Sequence, residues 1–167
     1  MLKTFIFLMT ITFSGYAASG VGSPFIDVIY SGFKLKIPAS PLIIGHLGGK
    51  ADSLVVKYSR SPGSRYIGFT NDNDLYTGSC IPEVFFNKVV TESSTDDCDG
   101  AVKAFQKVFS TGSDFGVWTN SKNKFYYFID NEESSFLFLI SGDGSIVKME
   151  SDFLKKSDFE KALSNYL

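Results

Sequence analysis

The sequence predicts a single exported α+β domain in which two N-terminal hairpins and a C-terminal meander build an antiparallel sheet. A disulfide-stapled helical pair and a C-terminal helix pack on that sheet. Three observations carry this reading. Between Phe115 and Ser151, apolar runs alternate with short polar breaks, as in an antiparallel meander. Between Pro82 and Phe109 the apolar spacing lengthens to a helical period. The chain also opens on an apolar segment ending in small residues, and its only cysteines are Cys80 and Cys98.

The N-terminus reads as a secretory signal. Lys3 supplies an early cation, Thr4 to Phe13 is almost free of polarity, and Ser14-Gly15-Tyr16-Ala17-Ala18 supplies the small-residue end. The apolar segment falls well short of the roughly 20 residues that a spanning helix needs. Cleavage after Ala17 or one to three residues later divides the chain into a signal, residues 1–18, and an exported domain, residues 19–167. At about 150 residues that domain has the common single-domain size. No cysteine follows the apolar segment, which argues against an acylated lipoprotein. The expected location is the periplasm or the extracellular space.

Phe25 to Tyr30 and Phe33 to Ile37 flank Ser31-Gly32 and form the first hairpin, with Phe33, Leu35 and Ile37 inward and Lys34 and Lys36 outward. Pro38 and Pro41 stop the ladder. Leu42 to Ile44 is a short apolar piece running into the glycine-rich loop Gly45 to Lys50. Ser53 to Ser59 and Arg65 to Thr70, joined by Ser61-Pro62-Gly63-Ser64, make the second hairpin.

Pro82 opens a helix carrying Val84, Phe85 and Val89, and Ala101, Val102, Phe105, Val108 and Phe109 stripe another. In an exported chain Cys80 and Cys98 are expected to form one disulfide, stapling the two helices together. The pair has no C-x-x-C spacing, so a redox role is disfavoured and two buried thiols are the other reading. In the meander, Phe125 to Ile129 and Phe136 to Ile140 are apolar at odd and even positions alike, so both must be central strands covered on both faces. Ile146 to Glu150 is half polar, which suits an edge. Ser157-Asp158-Phe159-Glu160 reads as a capping box ahead of a last helix with Phe159, Ala162, Leu163 and Tyr166 on one side.

The net charge of −2 is spread without a basic stripe, which disfavours nucleic acid and anionic membrane surfaces as partners. No cofactor signature stands out. Gly45-His46-Leu47-Gly48-Gly49-Lys50 lacks the phosphate-loop spacing, and Asn71-Asp72-Asn73-Asp74 lacks the continuation of a calcium loop and reads as a turn. His46, the only histidine, has no metal-ligand partners at suitable spacing, so no metal site is expected. Trp118, Tyr126 and Tyr127 are read as core, with a ligand pocket as the alternative.

The most informative surface is acidic: Glu92, Asp96, Asp97 and Asp99 fall between and beside the cysteines without an intervening cation. As ordinary structure, Asp96 or Asp97 would cap the second helix. As function, an acidic loop held by a disulfide suits contact with a basic protein surface. The expectation is a non-enzymatic exported protein that binds another protein, of an inhibitor or immunity type. The alternatives are a small hydrolase using His46 and a carrier of an apolar ligand.

Overall fold

The alternation Phe33-Lys34-Leu35-Lys36-Ile37 produces a strand with one buried and one wet face. In the computed structural model, which describes residues 24–49, 52–91, 98–120, 122–130 and 132–167, β1 (Phe25–Tyr30) and β2 (Phe33–Pro38) form an antiparallel hairpin. The expected signal, residues 1–18, and Glu92, Asp96 and Asp97 lie outside the described residues. Ser31 and Gly32 both take positive φ, 45° and 81°, giving the turn that matches right-handed strand twist. This hairpin stands as a two-stranded sheet of its own and does not extend the larger one.

The second sheet has seven strands: β3 (Ile43–Leu47), β4 (Ser53–Lys57), β5 (Tyr66–Asn71), β6 (Asp114–Thr119), β7 (Lys124–Ile129), β8 (Ser135–Ile140) and β9 (Ile146–Ser151). Their order is β3-β4-β5-β9-β8-β7-β6, with every neighbouring pair antiparallel. After β5 the chain leaves the sheet through helices α1 (Pro82–Thr91) and α2 (Asp99–Phe109), then enters at the far edge as β6. The meander walks back until β9 closes against β5. Side chains write its turns: Asn120 Oδ1 accepts the N–H groups of Lys122 and Asn123 at 2.8 Å, and Asp130 Oδ1 those of Glu132 and Glu133 at 2.7 and 3.0 Å.

As their doubled apolar pattern requires, β7 and β8 are interior strands covered on both faces. On one face Tyr126, Phe128 and Phe138 meet Phe85, Phe86, Val89, Val102 and Phe105 of the helical pair. On the other, Phe125, Leu137 and Leu139 meet Leu35 and Ile37 of the hairpin and Phe159 and Leu163 of the C-terminal end. Phe86 has four aromatic neighbours, with centroids at 4.8 to 5.4 Å. Burying a phenylalanine of this kind contributes roughly 2–3 kcal/mol.

Three expectations need correction. β9 is not an edge strand; it lies between β5 and β8. Its polar residues Lys148 and Glu150 sit on the helix-bearing face, opposite Thr70 and Gly68 of β5, where the helical pair no longer reaches. The half-polar pattern therefore marks an uncovered face. The last helix, α3 (Lys156–Ala162), starts ahead of Ser157, and it is the Asp158 carboxylate that accepts the Lys155 N–H at 3.2 Å. Val108 is 70 % exposed, because Phe109 takes the inward position and stacks on Phe105 at 4.3 Å.

Candidate functional site

Cys80 and Cys98 are disulfide-bonded, with Cα atoms 5.7 Å apart, and Cys98 is buried in the core beneath the helical pair. The segment before Cys80 is seated on Cys98. A Cβ at Gly78, whose φ is +65°, would lie 3.2 Å from the Cα and Cβ of Cys98, so a side chain here would be strained and crowded where glycine fits. Thr77 closes the seat: its hydroxyl donates to the Cys80 carbonyl at 2.8 Å, and its own carbonyl accepts the Cys80 N–H at 3.3 Å. Gln106 of α2 then donates to the Val89 carbonyl of α1 at 3.0 Å, tying the helices at their other ends.

Large side chains stand out from this seat. Tyr76 is 76 % exposed and Ile81 is 66 % exposed, one on each side of the Thr77–Cys80 turn, and Val84 follows on the outer face of α1. Nothing in the local sequence singles them out, because a tyrosine and an isoleucine beside a cysteine read as ordinary loop filler. Of the four acidic residues in the predicted contact, Asp99 is described: it occupies the first turn of α2, where a carboxylate complements the helix dipole. The position expected of Asp96 or Asp97 as helix cap falls to Cys98, which makes no side-chain cap bond.

His46 lies in β3 and not in a glycine-rich loop. It is half exposed at the sheet edge, and its Nε2 meets the Asp52 carboxylate. Among the described residues no group of three histidine, cysteine, aspartate or glutamate side chains is poised to hold a metal.

The aromatic strands are packed. Tyr126 donates to Asn87 Oδ1 at 3.0 Å, and its hydroxyl pKa is pushed up by burial and by the Glu83 charge. Tyr127 stacks on Trp118 at 4.3 Å, and its hydroxyl bonds to Lys156 at 2.9 Å, which together with Asp114 holds that lysine's pKa up. Trp118 does line a surface hollow of about 490 Å³ with Lys161 and Leu167, but Tyr126 and Tyr127 do not.

A second hollow, of about 540 Å³, opens where the helical pair ends over the sheet, between Phe109 and Phe136 and the carboxylates of Glu132, Glu133, Glu150 and Asp152. Two of these carboxylates already have structural partners. Asp152 accepts the N–H groups of Arg65 and Tyr66 at 2.7 and 2.8 Å, and Glu150 accepts the Tyr66 hydroxyl, whose pKa is raised by burial and by that carboxylate.

No protein-family model matches the chain, and neither a curated protein nor a solved structure matches it. Among the described residues no helix is long and apolar enough to cross a membrane. The arrangement in hand is thus a disulfide-fixed surface with protruding apolar side chains.

Proposed function

We propose that the protein is exported, to the periplasm or outside the cell, and acts without catalysis by binding another protein. Its contact surface is the stapled segment, with Tyr76, Ile81 and Val84 as apolar anchors and Glu92, Asp96, Asp97 and Asp99 as its acidic contacts. The observation that carries this reading is the exposure of Tyr76 and Ile81 on a turn fixed to the buried Cys98. A tyrosine held on a pre-ordered backbone is an efficient anchor, since little entropy is lost on binding. Acidic contacts favour a basic partner and speed encounter. An inhibitor or immunity-type role fits such a surface. The disulfide and the signal-like N-terminus together support export.

The test is a pull-down with oxidised protein from native periplasmic and extracellular extract, with two control baits. One carries Tyr76→Ala and Ile81→Ala; the other carries the four acidic residues as their amides. A stoichiometric partner lost with the first control and weakened with the second is the expected result. A partner retained by both, or none at all, overturns the reading.

A further inference from the structure

The edge strand β3 bears a second, separate surface. It pairs only with β4, and no described group bonds to the outer edge of its backbone. Leu42, Ile43, Ile44 and Leu47 are 55–63 % exposed along it. Sheet edges are commonly guarded by lysine, proline or a charged residue turned inward. From Ile43 to Leu47 the strand has none of these.

We propose that β3 pairs with β3 of a second copy, antiparallel about a two-fold axis at Gly45, joining two seven-stranded sheets into one. The strand is its own complement in that register. Gly45 faces Gly45, Ile43 faces Leu47 of the second copy on the helix-bearing face, and Ile44 faces its His46 on the hairpin face. The Ile43–Leu47 and Ile44–His46 pairings each occur twice and Gly45 meets its own copy on the axis, as two-fold symmetry requires, and none sets like charges together. Ile43 and Leu47 share a face because they lie opposite Lys57 and Ser53 of β4, while Ile44 and His46 lie opposite Val56 and Leu54. The four exposed side chains offer roughly 400 Å² per copy, so both copies with their backbone edges approach the ~1,000 Å² of a specific interface. A two-fold contact also closes after one event, leaving no β3 edge to recruit a third chain.

Sedimentation velocity on the oxidised protein over a concentration series tests this with two double variants whose changes fall on exposed side chains. Wild type should sediment as a dimer that dissociates on dilution. Ile43→Lys with Leu47→Lys sets two lysine pairs face to face and should be monomeric, with an unchanged far-ultraviolet spectrum. Ile43→Lys with Leu47→Glu places each lysine opposite a glutamate and should restore a dimer that weakens with salt. Three results overturn the proposal: a wild type that stays monomeric, a dimer indifferent to the two lysines, and a lysine–glutamate variant that stays monomeric while folded. Because the stapled segment is untouched, the outcome is independent of the pull-down.

Discussion

The two halves of the large sheet are built on different terms. β6, β7 and β8 lie between the helical pair on one side and the hairpin with α3 on the other. β4 and β5 have the hairpin on one face only, their other face carries Ser53, Val55, Lys57, Tyr66, Gly68 and Thr70, and β3 lies exposed beyond them. The difference follows from the crossover: a helical pair of this length, linking β5 to the far edge, lies over the strands it is carried to and leaves the earlier ones bare. Stability is therefore concentrated in the meander half, and surface available for contact in the early half.

The sharpest way to break that contrast is to truncate one side chain in each half. Phe86→Ala, inside the aromatic cluster over β7 and β8, should cost about 3–5 kcal/mol by denaturant unfolding. Leu47→Ala, 63 % exposed on β3, should stay within ~0.5 kcal/mol. Equal losses would mean that the two halves are equally packed.

The staple belongs to the covered half and ranks next. Cys80 and Cys98 are 18 residues apart, and replacing both by serine should lower stability by about 3 kcal/mol from loop closure. The loss should appear as a shifted urea midpoint. The same variant should also release the Thr77–Cys80 turn from its seat and make the Tyr76–Ile81 region sensitive to protease, while β3 to β5 remain protected.

These halves were unequally legible in the sequence. In the meander, runs such as Phe125 to Ile129 admit only an interior strand, because each successive side chain must be buried. The helical pair announced itself by its period, and the disulfide by the count of cysteines. In the early half, and in β9 where the meander meets it, the local signal was ambiguous. Lys148 and Glu150 make β9 look like an edge, because an uncovered face and an exposed edge both tolerate polar residues. Gly45 and His46 make β3 look like a loop, and only pairing with β4 turns them into a strand. The glycine-dependent approach of Gly78 to Cys98 was invisible, since it depends on two segments meeting in space.

A smaller effect separates the polar face of the early half from its buried one. Tyr66 crosses the bare face to bond Glu150, and lies 3.3 Å from the Ser134 hydroxyl. Tyr66→Phe should cost ~1 kcal/mol, the net worth of a hydrogen bond that water can partly replace. Thermal unfolding at neutral pH reads it directly, and a loss as large as that of Phe86→Ala would show that this face is structurally committed.

The covered face of the same half supplies the smallest and most specific signal, because it depends on pH. Tyr58 donates to the Pro38 carbonyl at 2.7 Å and meets Phe153 edge-on at 5.3 Å, and burial pushes its hydroxyl pKa up to about 12 from 10.0. A raised acid favours the folded state while it is protonated, so its contribution is complete below the unfolded value of 10.0 and declines as pH rises towards about 12. Phenylalanine keeps the ring contact but has no proton to lose. Tyr58→Phe should therefore be less stable than wild type at neutral pH, by ~1 kcal/mol for the lost bond to Pro38. The gap should narrow across that alkaline window, as wild type alone loses this contribution. The other tyrosines with raised pKa values are common to both proteins and cancel in the difference. A gap that stays constant with pH would mean that the Tyr58 hydroxyl reaches water in the folded protein, and that the hairpin covers the early strands less closely than their packing implies.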